Sequence, residues 1–328
     1  MESEPAGGVL AHKVIIDTDP GIGDAIALAI ALLDPELDVV GVTATAGCVS
    51  GAAATRNVQA IIEHLDPAKW PRIGSSEGRV AATFGTDKGA DSISLTDLNG
   101  VSGLGDWEFR VADLHHRHES AKLMIDIARA EPNEVTLLTL GPLTNLELAC
   151  ERAPDFLQML NGVVVFGGAV TCGGDVTAAA EFNMFANPEA ARNILTSPAT
   201  KTLVPLDVCR RVVLTFEHFD RVNPGDSSAT GQLLEQLLPF AFRAHHQFLG
   251  LEGVALNELA ALATISEPRL FESEPMAVDV ETSGELTRGM TVFDRRGIPN
   301  WQTNIDVITD VDAQGVLDYF TRVLRSAE

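Results

Sequence analysis

Short runs of apolar residues alternate with longer amphipathic segments along most of this 328-residue chain. The apolar runs are nearly continuous, which is typical of strands buried on both faces of a parallel sheet. They are KVIID (13–17), LDVVGVTAT (37–45), EVTLLTL (134–140), GVVVFGG (162–168) and KTLVPLDV (201–208). The pattern predicts a series of βαβ units, and therefore an α/β fold with a mostly parallel, twisted sheet flanked by helices on both faces.

Helical periodicity appears between the predicted strands. Apolar residues recur at helical spacing over residues 22–33, and SAKLMIDIARAEP (120–132) opens with a serine cap and closes before a proline. The amphipathic segment 233–249 predicts a later helix, and the polar stretch 223–232 before it is expected to be a mobile flap over a site. Residues 276–296 alternate around SGE, which predicts a C-terminal antiparallel hairpin added to the sheet.

Composition limits the class of protein and its partners. With 45% hydrophobic residues the chain can bury a large core, and we expect a single domain over residues 1–328. A net charge of −23 repels phosphates, so neither nucleic acid nor an anionic membrane is an expected partner, and a small neutral or cationic ligand fits better. Four cysteines without a CxxC pair, and a start that lacks the pattern of a signal peptide, predict a cytoplasmic protein.

The candidate chemistry begins in IIDTDPGIGD (15–24), directly after the first predicted strand. Asp17, Asp19 and Asp24 place three carboxylates at the end of the sheet where α/β proteins bind ligands. Crowded carboxylates raise one another's pKa and repel, unless a cation or a shared proton offsets the charge. A hard divalent cation such as Ca²⁺ accounts for the cluster best, because it accepts several carboxylate oxygens. The simpler alternative is that Asp19 and Asp24 cap the next helix.

Two other interpretations of this segment fit less well. Gly21 and Gly23 form part of a GxGxxG dinucleotide motif, but Ile26 replaces the third glycine and the carboxylates would repel a pyrophosphate. An aspartyl-phosphate phosphatase would also have an Asp-x-Asp motif after a strand, with the first Asp as nucleophile. As that family is known, a Thr or Val should stand at position 21, where this chain has glycine.

DTDPGIGDAIAL (17–28) resembles the signature of the nucleoside hydrolases, Ca²⁺-dependent enzymes that cleave the N-glycosidic bond of nucleosides. Further blocks similar to that family follow in the family's order and extend the resemblance over most of the chain. They are GCVSGAAATRN (47–57), NGVSGLGD (99–106), TLGPLTNL (139–146), FGGAVTCGGDVTAAAEFNMFANPEAA (166–191) and GVALNELAALATISEP (253–268). The resemblance implies a nucleoside-hydrolase-like fold and a homo-oligomer, either a dimer or a tetramer.

The resemblance also implies a metal site. Asp19 and Asp24 would bind Ca²⁺ through their side chains, Leu140 through its backbone carbonyl, and Glu258 would fill the remaining carboxylate position. Asp19 would also act as the general base toward a metal-bound water. Attack at the anomeric carbon would pass through an oxocarbenium-like transition state, which nearby anionic oxygens stabilise.

The same resemblance assigns a sugar pocket. Asp175, Glu181 and Asn183 lie where the family holds the ribose hydroxyls, and Asn257 is a further candidate for substrate binding. Taken alone, the Glu-Phe-Asn segment is more typical of capping and turn residues. Its place after a predicted buried strand favours a site.

Several positions depart from the family's pattern. Gly23 replaces an acid that grips a ribose hydroxyl, Cys48 replaces an asparagine that supports the base, and Glu258 replaces an aspartate. Asn99 and Asn257 replace histidines, and an amide cannot protonate a leaving base at neutral pH.

Two histidines on the predicted helix 233–249 are candidates for the missing acid. His245 and His246 lie shortly before the last family block, although both could simply decorate an exposed helix face. We therefore predict Ca²⁺-dependent hydrolysis of the N-glycosidic bond of a nucleoside or related N-riboside. The alternative is a non-catalytic nucleoside- or sugar-binding protein of the same fold.

Overall fold

A nine-stranded sheet runs through the part of the chain that the computed structural model describes, which is residues 11–78, 94–112, 118–222, 225, 228–296 and 301–326. Two smaller sheets of two strands each accompany it in those residues. The strands are β1 (His12–Thr18), β2 (Leu37–Ala44), β3 (Arg72–Ser75), β4 (His118–Glu119), β5 (Val135–Thr139), β6 (Gly162–Phe166), β7 (Lys201–Val204), β8 (Val213–Thr215), β9 (Gly253–Ala255), β10 (Phe271–Met276), β11 (Val278–Val280), β12 (Thr291–Phe293) and β13 (Ile305–Val311).

Helices connect most of these strands. They are α1 (Ile22–Leu33), α2 (Gly51–Leu65), α3 (Leu95–Asn99), α4 (Ser120–Ala130), α5 (Thr144–Arg152), α6 (Phe182–Ala186), α7 (Pro188–Leu195), α8 (Leu206–Cys209), α9 (Phe216–Val222), α10 (Ala229–Ala244), α11 (Asn257–Ser266) and α12 (Ala313–Ser326). A π-helical turn, His245–Leu249, continues α10, and Phe156–Met159 and Pro268–Leu270 are 3₁₀ turns. None of the helices in the described residues combines the length and apolar character needed to cross a lipid bilayer.

The main sheet has the strand order β10-β13-β7-β6-β5-β1-β2-β3-β4. All neighbouring strands are parallel except β10, which pairs antiparallel with β13. The chain starts at β1, adds β2 to β4 on one side, and then returns to add β5 to β7 on the other. The carboxyl ends of β1 and β5 therefore form the topological switch point, where open α/β sheets bind ligands.

Two apolar cores lie on the two faces of the sheet. Val14 and Ile16 of β1 point into a core shared with α1, α2, α10, α11 and α12. Ile15 points the other way, into a core shared with α4, α5 and α7. Because successive side chains of a strand face opposite sides, a strand covered by helices on both faces is apolar at nearly every position. The predicted mostly parallel sheet with flanking helices is confirmed.

The five strands predicted from apolar runs are all present, but one ends well before its predicted end. KTLVPLDV (201–208) forms a strand only to Val204, and residues 206–209 form α8. Pro205 stands at the boundary, since proline has no N–H to donate to a strand ladder and is tolerated at the start of a helix. The helix predicted over 233–249 is confirmed and begins earlier, at Ala229.

The predicted C-terminal hairpin is present as β11 and β12. These strands pair with each other in a separate two-stranded sheet and do not join the main sheet as expected. The antiparallel strand of the main sheet is β10, just before the hairpin. The first part of the expected flap, at 223, 224, 226 and 227, lies outside the described residues, as do residues 1–10.

Candidate active site

A cavity of about 170 Å³ lies at the switch point, beyond the carboxyl ends of β1 and β5. Acidic and amide side chains from four separate parts of the chain line it, together with apolar residues from α3, α10 and β9. The predicted site residues in this lining are Asp19, Asp24, Leu140, Asp175, Glu181, Asn183, His245, Asn257 and Glu258. The family-based assignment therefore selects residues that the fold brings together.

Asp24 is fixed by local hydrogen bonds at the start of α1. Thr18 Oγ1 donates to Asp24 Oδ1 at 2.6 Å, and the backbone N–H of Gly21 donates to Oδ2 at 3.1 Å. The second bond is half of a capping box, so the alternative of a capping role describes part of what Asp24 does. Asp24 is only 6% exposed and still lines the cavity.

Asp19 is held by backbone groups. Its Oδ2 accepts the backbone N–H of Cys48, a donor that any non-proline residue at position 48 would supply. Two glycines allow the carboxylate to sit this close to the chain: a methyl group at Gly47 would lie 2.6 Å from Asp19 Cγ, and one at Gly141 would lie 3.1 Å from it. Sequence reasoning missed both glycines, although each closely follows a predicted strand.

Asp17 does not belong to the cavity. Its Oδ1 accepts hydrogen bonds from Thr43 Oγ1 at 2.7 Å and Asn145 Nδ2 at 2.8 Å, and its Oδ2 is buried without a hydrogen-bond partner. Burial raises the pKa of Asp17 to about 7, against the lowering effect of these two donors. The three carboxylates of the acidic turn are therefore separated, with Asp19 and Asp24 on the cavity and Asp17 among buried polar partners.

Glu258 supplies the third carboxylate of the cavity from the first turn of α11. It reaches over Gly23: a methyl group at Gly23 would overlap Glu258 Oε2 and lie 2.6 Å from Glu258 Cδ. The missing side chain at position 23 and the long side chain at position 258 are thus complementary in space.

Burial dominates the electrostatics of these carboxyl groups. It raises the pKa of Asp24 to about 6. Burial and then the neighbouring Asp24 raise the pKa of Glu258 to about 8, and the same two causes raise the pKa of Asp19. Each group is therefore costly to ionise in the protein alone, and a bound cation would favour the ionised forms.

The predicted sugar-binding residues are also tied into the loop after β6. Glu181 accepts backbone N–H groups of Gly168, Asn183 and Met184, so it caps α6 while lining the cavity. Asn183 Nδ2 donates to Leu140 O at 2.7 Å, the carbonyl predicted to bind the metal. A carbonyl oxygen has two lone pairs, so this bond orients the carbonyl without consuming its acceptor capacity.

Asp175 lines the same cavity and is exposed to solvent, and its Oδ1 accepts the backbone N–H of Phe182 at 2.8 Å. The structure places it with the other predicted sugar-binding residues.

The two asparagines differ in what they contact. Asn99 Oδ1 accepts the backbone N–H of Ile22 at 3.0 Å, and Nδ2 donates to Leu95 O at 3.3 Å, so Asn99 helps to fix the start of α1. Asn257 Oδ1 is buried and has no hydrogen-bond partner in the described part of the chain. A buried acceptor without a partner is uncommon, and one that lines a cavity can receive a donor from a ligand.

The two candidate histidines also separate. His245 lines the cavity, with Nδ1 2.8 Å from Ala241 O. His246 is not among the lining residues; it is exposed, with Nδ1 3.2 Å from a Glu252 carboxylate oxygen. The structure therefore brings only His245 to the site.

The donors around Asp19 suit Ca²⁺ chemically, since two aspartates, a glutamate and a backbone carbonyl all offer hard oxygen atoms. Within the described residues, however, no three His, Cys, Asp or Glu side chains already stand as a group that could hold a metal ion. Binding of an ion would therefore bring these carboxylate oxygens closer together.

Comparison with known proteins agrees with the geometry. A family model described as inosine-uridine preferring nucleoside hydrolase matches residues 14–318. The non-specific ribonucleoside hydrolase RihC of Escherichia coli is 32% identical over 96% of this chain and 98% of its own length, and uridine nucleosidase 1 of Arabidopsis thaliana is 34% identical over 94% and 91%. Among solved structures, the plant nucleoside hydrolase PpNRh1 superposes with a TM-score of 0.84 at 29% identity, covering 95% of this chain and 98% of that one.

Proposed function

The chain belongs to the family of inosine-uridine preferring nucleoside hydrolases, a class of hydrolases acting on N-glycosyl compounds, and on that basis we propose that it uses Ca²⁺ to hydrolyse the N-glycosidic bond of ribonucleosides or related N-ribosides. The products are ribose and the free base. One observation carries the proposal: Asp19, Asp24 and Glu258 line a single cavity together with Leu140.

We propose that these four residues hold the ion, with Leu140 contributing its backbone carbonyl. When bound, Ca²⁺ would orient a water and lower its pKa modestly. Asn183 supports this arrangement because its amide already orients the Leu140 carbonyl. Thr18 and the Gly21 N–H keep Asp24 in place as the carboxylates adjust.

Asp19 is the proposed general base. The Cys48 N–H holds one of its oxygens, and the close approach of Gly47 and Gly141 fixes the carboxylate between two loops. A carboxylate held in this cavity can accept a proton from a water molecule bound beside it. The surrounding carboxylates would stabilise the positive charge that develops on the sugar.

Ribose release tests this function directly. The protein is incubated with inosine, uridine, adenosine and cytidine in the presence of Ca²⁺, and reducing sugar is measured. Asp19→Asn should abolish release, whereas Asp306→Asn, at an exposed position of β13 outside the cavity, should not change it. Wild-type release that survives Asp19→Asn would contradict the assigned base.

A second function, non-catalytic binding of nucleosides or sugars, is favoured by the amides at positions 99 and 257, which cannot protonate a leaving base. It predicts thermal stabilisation by nucleosides without release of ribose. Thermal-shift measurements with the same four nucleosides separate the two functions.

We further propose a cytoplasmic homo-oligomer, a dimer or a tetramer. The four cysteines are free, which suits a reducing compartment. Sedimentation analysis of the purified protein tests the oligomeric state.

A further inference from the structure

One wall of the cavity is formed by α3, the end of α10, β9 and the start of α11. We call it the α3–α10 wall; its cavity-lining residues are Leu95, Leu98, Asn99, Ala241, His245, Val254, Ala255 and Asn257. The carboxylates of Asp19 and Asp24 come from the turn after β1 and from the first turn of α1. The mostly apolar wall therefore suits the base of an N-riboside, with the sugar toward the carboxylates.

None of the described polar groups on this wall is equipped to protonate a leaving base at neutral pH. Asn99 and Asn257 are amides, and Asn257 presents a buried acceptor oxygen without a partner. The contact of His245 Nδ1 with Ala241 O assigns its proton to Nδ1, which leaves Nε2 as an acceptor. Burial also lowers the pKa of His245 below its usual 6.5, so the neutral ring predominates at pH 7.

Most of the ionisable side chains that line the cavity are acidic. Five acidic side chains line it, and the described lining contains no lysine or arginine; the acids are Asp19, Asp24, Asp175, Glu181 and Glu258. Carboxyl oxygens attract positive charge, and no cationic side chain in this lining competes for them. Such a site favours a positively charged ligand and disfavours a base that leaves as an anion.

We propose that the preferred substrates are N-ribosides whose base carries a positive charge and leaves as a neutral molecule, such as ribosylated pyridinium rings. This inference rests on the proposed hydrolase function and specifies its substrate class. The C1′–N bond breaks, and its electron pair neutralises the ring nitrogen without any proton transfer to the base. A water oxygen bonds to C1′ and its proton passes to the Asp19 carboxylate.

The experiment compares four substrates of the intact protein in the presence of Ca²⁺. N-Ribosylnicotinamide carries a cationic base and leaves neutral; inosine and uridine have neutral bases that need a proton. 4-Nitrophenyl riboside is neutral but has a leaving group that needs no proton. Ribose release gives kcat/KM for each, and each value is also divided by the rate of hydrolysis in buffer alone.

The proposal predicts a kcat/KM for N-ribosylnicotinamide at least roughly 100-fold above inosine and uridine, the low end of what a general acid contributes. After division by the rate in buffer alone, kcat/KM for N-ribosylnicotinamide should still be at least about tenfold above that for 4-nitrophenyl riboside, because attraction of the positive charge adds to the effect of the leaving group. Asn257→His supplies a candidate acid and should raise the ratio of inosine to N-ribosylnicotinamide activity by roughly tenfold or more.

Equal or faster hydrolysis of inosine or uridine would overturn the inference, whatever the behaviour of the variant. Equal corrected rates for N-ribosylnicotinamide and 4-nitrophenyl riboside would overturn the preference for a positive charge. Failure of the proposed function itself looks different, since none of the four substrates would then release ribose.

Discussion

Gly23→Ala tests whether the lack of a side chain at position 23 makes room for the Glu258 carboxylate. The added methyl group would lie 2.6 Å from Glu258 Cδ, whereas carbon atoms in contact normally stand about 3.5 Å apart or more. The Glu258 carboxylate must therefore retreat by about 1 Å. Gly162→Ala is the matched control, because the nearest atom to its methyl group would be Thr200 O at 3.9 Å.

The electrostatic cost of that retreat can be estimated. At an effective dielectric constant of about 20, a divalent ion and a carboxylate about 4 Å apart attract by ~8 kcal/mol, and moving them to about 5 Å loses ~1.7 kcal/mol. A loss of this size weakens Ca²⁺ binding by more than about tenfold. Calorimetric titration of Ca²⁺ into the chelator-treated protein measures the affinity directly.

A shorter side chain at position 258 should relieve the clash with the methyl group added at position 23. Glu258→Asp removes one methylene, so the double variant with Gly23→Ala should bind Ca²⁺ more tightly than the sum of the two single changes predicts. Residues in direct contact typically show coupling of roughly 0.5–3 kcal/mol in such a cycle. Unchanged Ca²⁺ affinity in Gly23→Ala, or strict additivity in the double variant, would refute the assignment of Glu258 to the metal.

Three further outcomes are expected. Tyr319→Phe should lower the free energy of unfolding in urea by about 1–3 kcal/mol, because the Tyr319 hydroxyl donates to the buried Asp34 Oδ2 at 2.7 Å; a change below ~0.5 kcal/mol would contradict this. Gly141→Ala should reduce ribose release, because the added methyl group would displace the Asp19 carboxylate. Full activity of this variant would contradict the close packing of Gly141 against Asp19. The pKa of Asp17 in the folded state is about 7 against its usual 3.8, so the folded state binds more protons than the unfolded state between these pH values. The melting temperature, measured in the presence of a chelator, should therefore fall from about pH 4 to pH 7, and it should fall less steeply in Asp17→Asn. Identical slopes for the two proteins would contradict the raised pKa of Asp17.

The fold was predictable from sequence to the extent that strands buried on both faces leave a continuous apolar run. KVIID and GVVVFGG became β1 and β6 because helices cover both sides of the sheet. The end of β7 was missed because Pro205 interrupts a run that remains apolar beyond it. The position of the hairpin was missed because alternation predicts pairing between two strands but not the sheet they join.

The site was less predictable where contacts join distant parts of the chain. Asp17 and Asp19 look alike in sequence, but only the second extends beyond β1 into the cavity. Asn99 contacts Ile22 across 77 positions, which no local pattern indicates. His245 and His246 are neighbours, but successive residues of a helical turn point in different directions, so one lines the cavity and the other is exposed to solvent.

The most direct test of the central claim is the metal dependence of ribose release. The protein is stripped with a chelator, assayed with N-ribosylnicotinamide and uridine, and assayed again after addition of Ca²⁺. If the cavity lined by Asp19, Asp24 and Glu258 holds a catalytic ion, release stops on chelation and returns with Ca²⁺ in the wild type, but does not return in Asp24→Asn. Release that continues at full rate in the chelator would contradict the account.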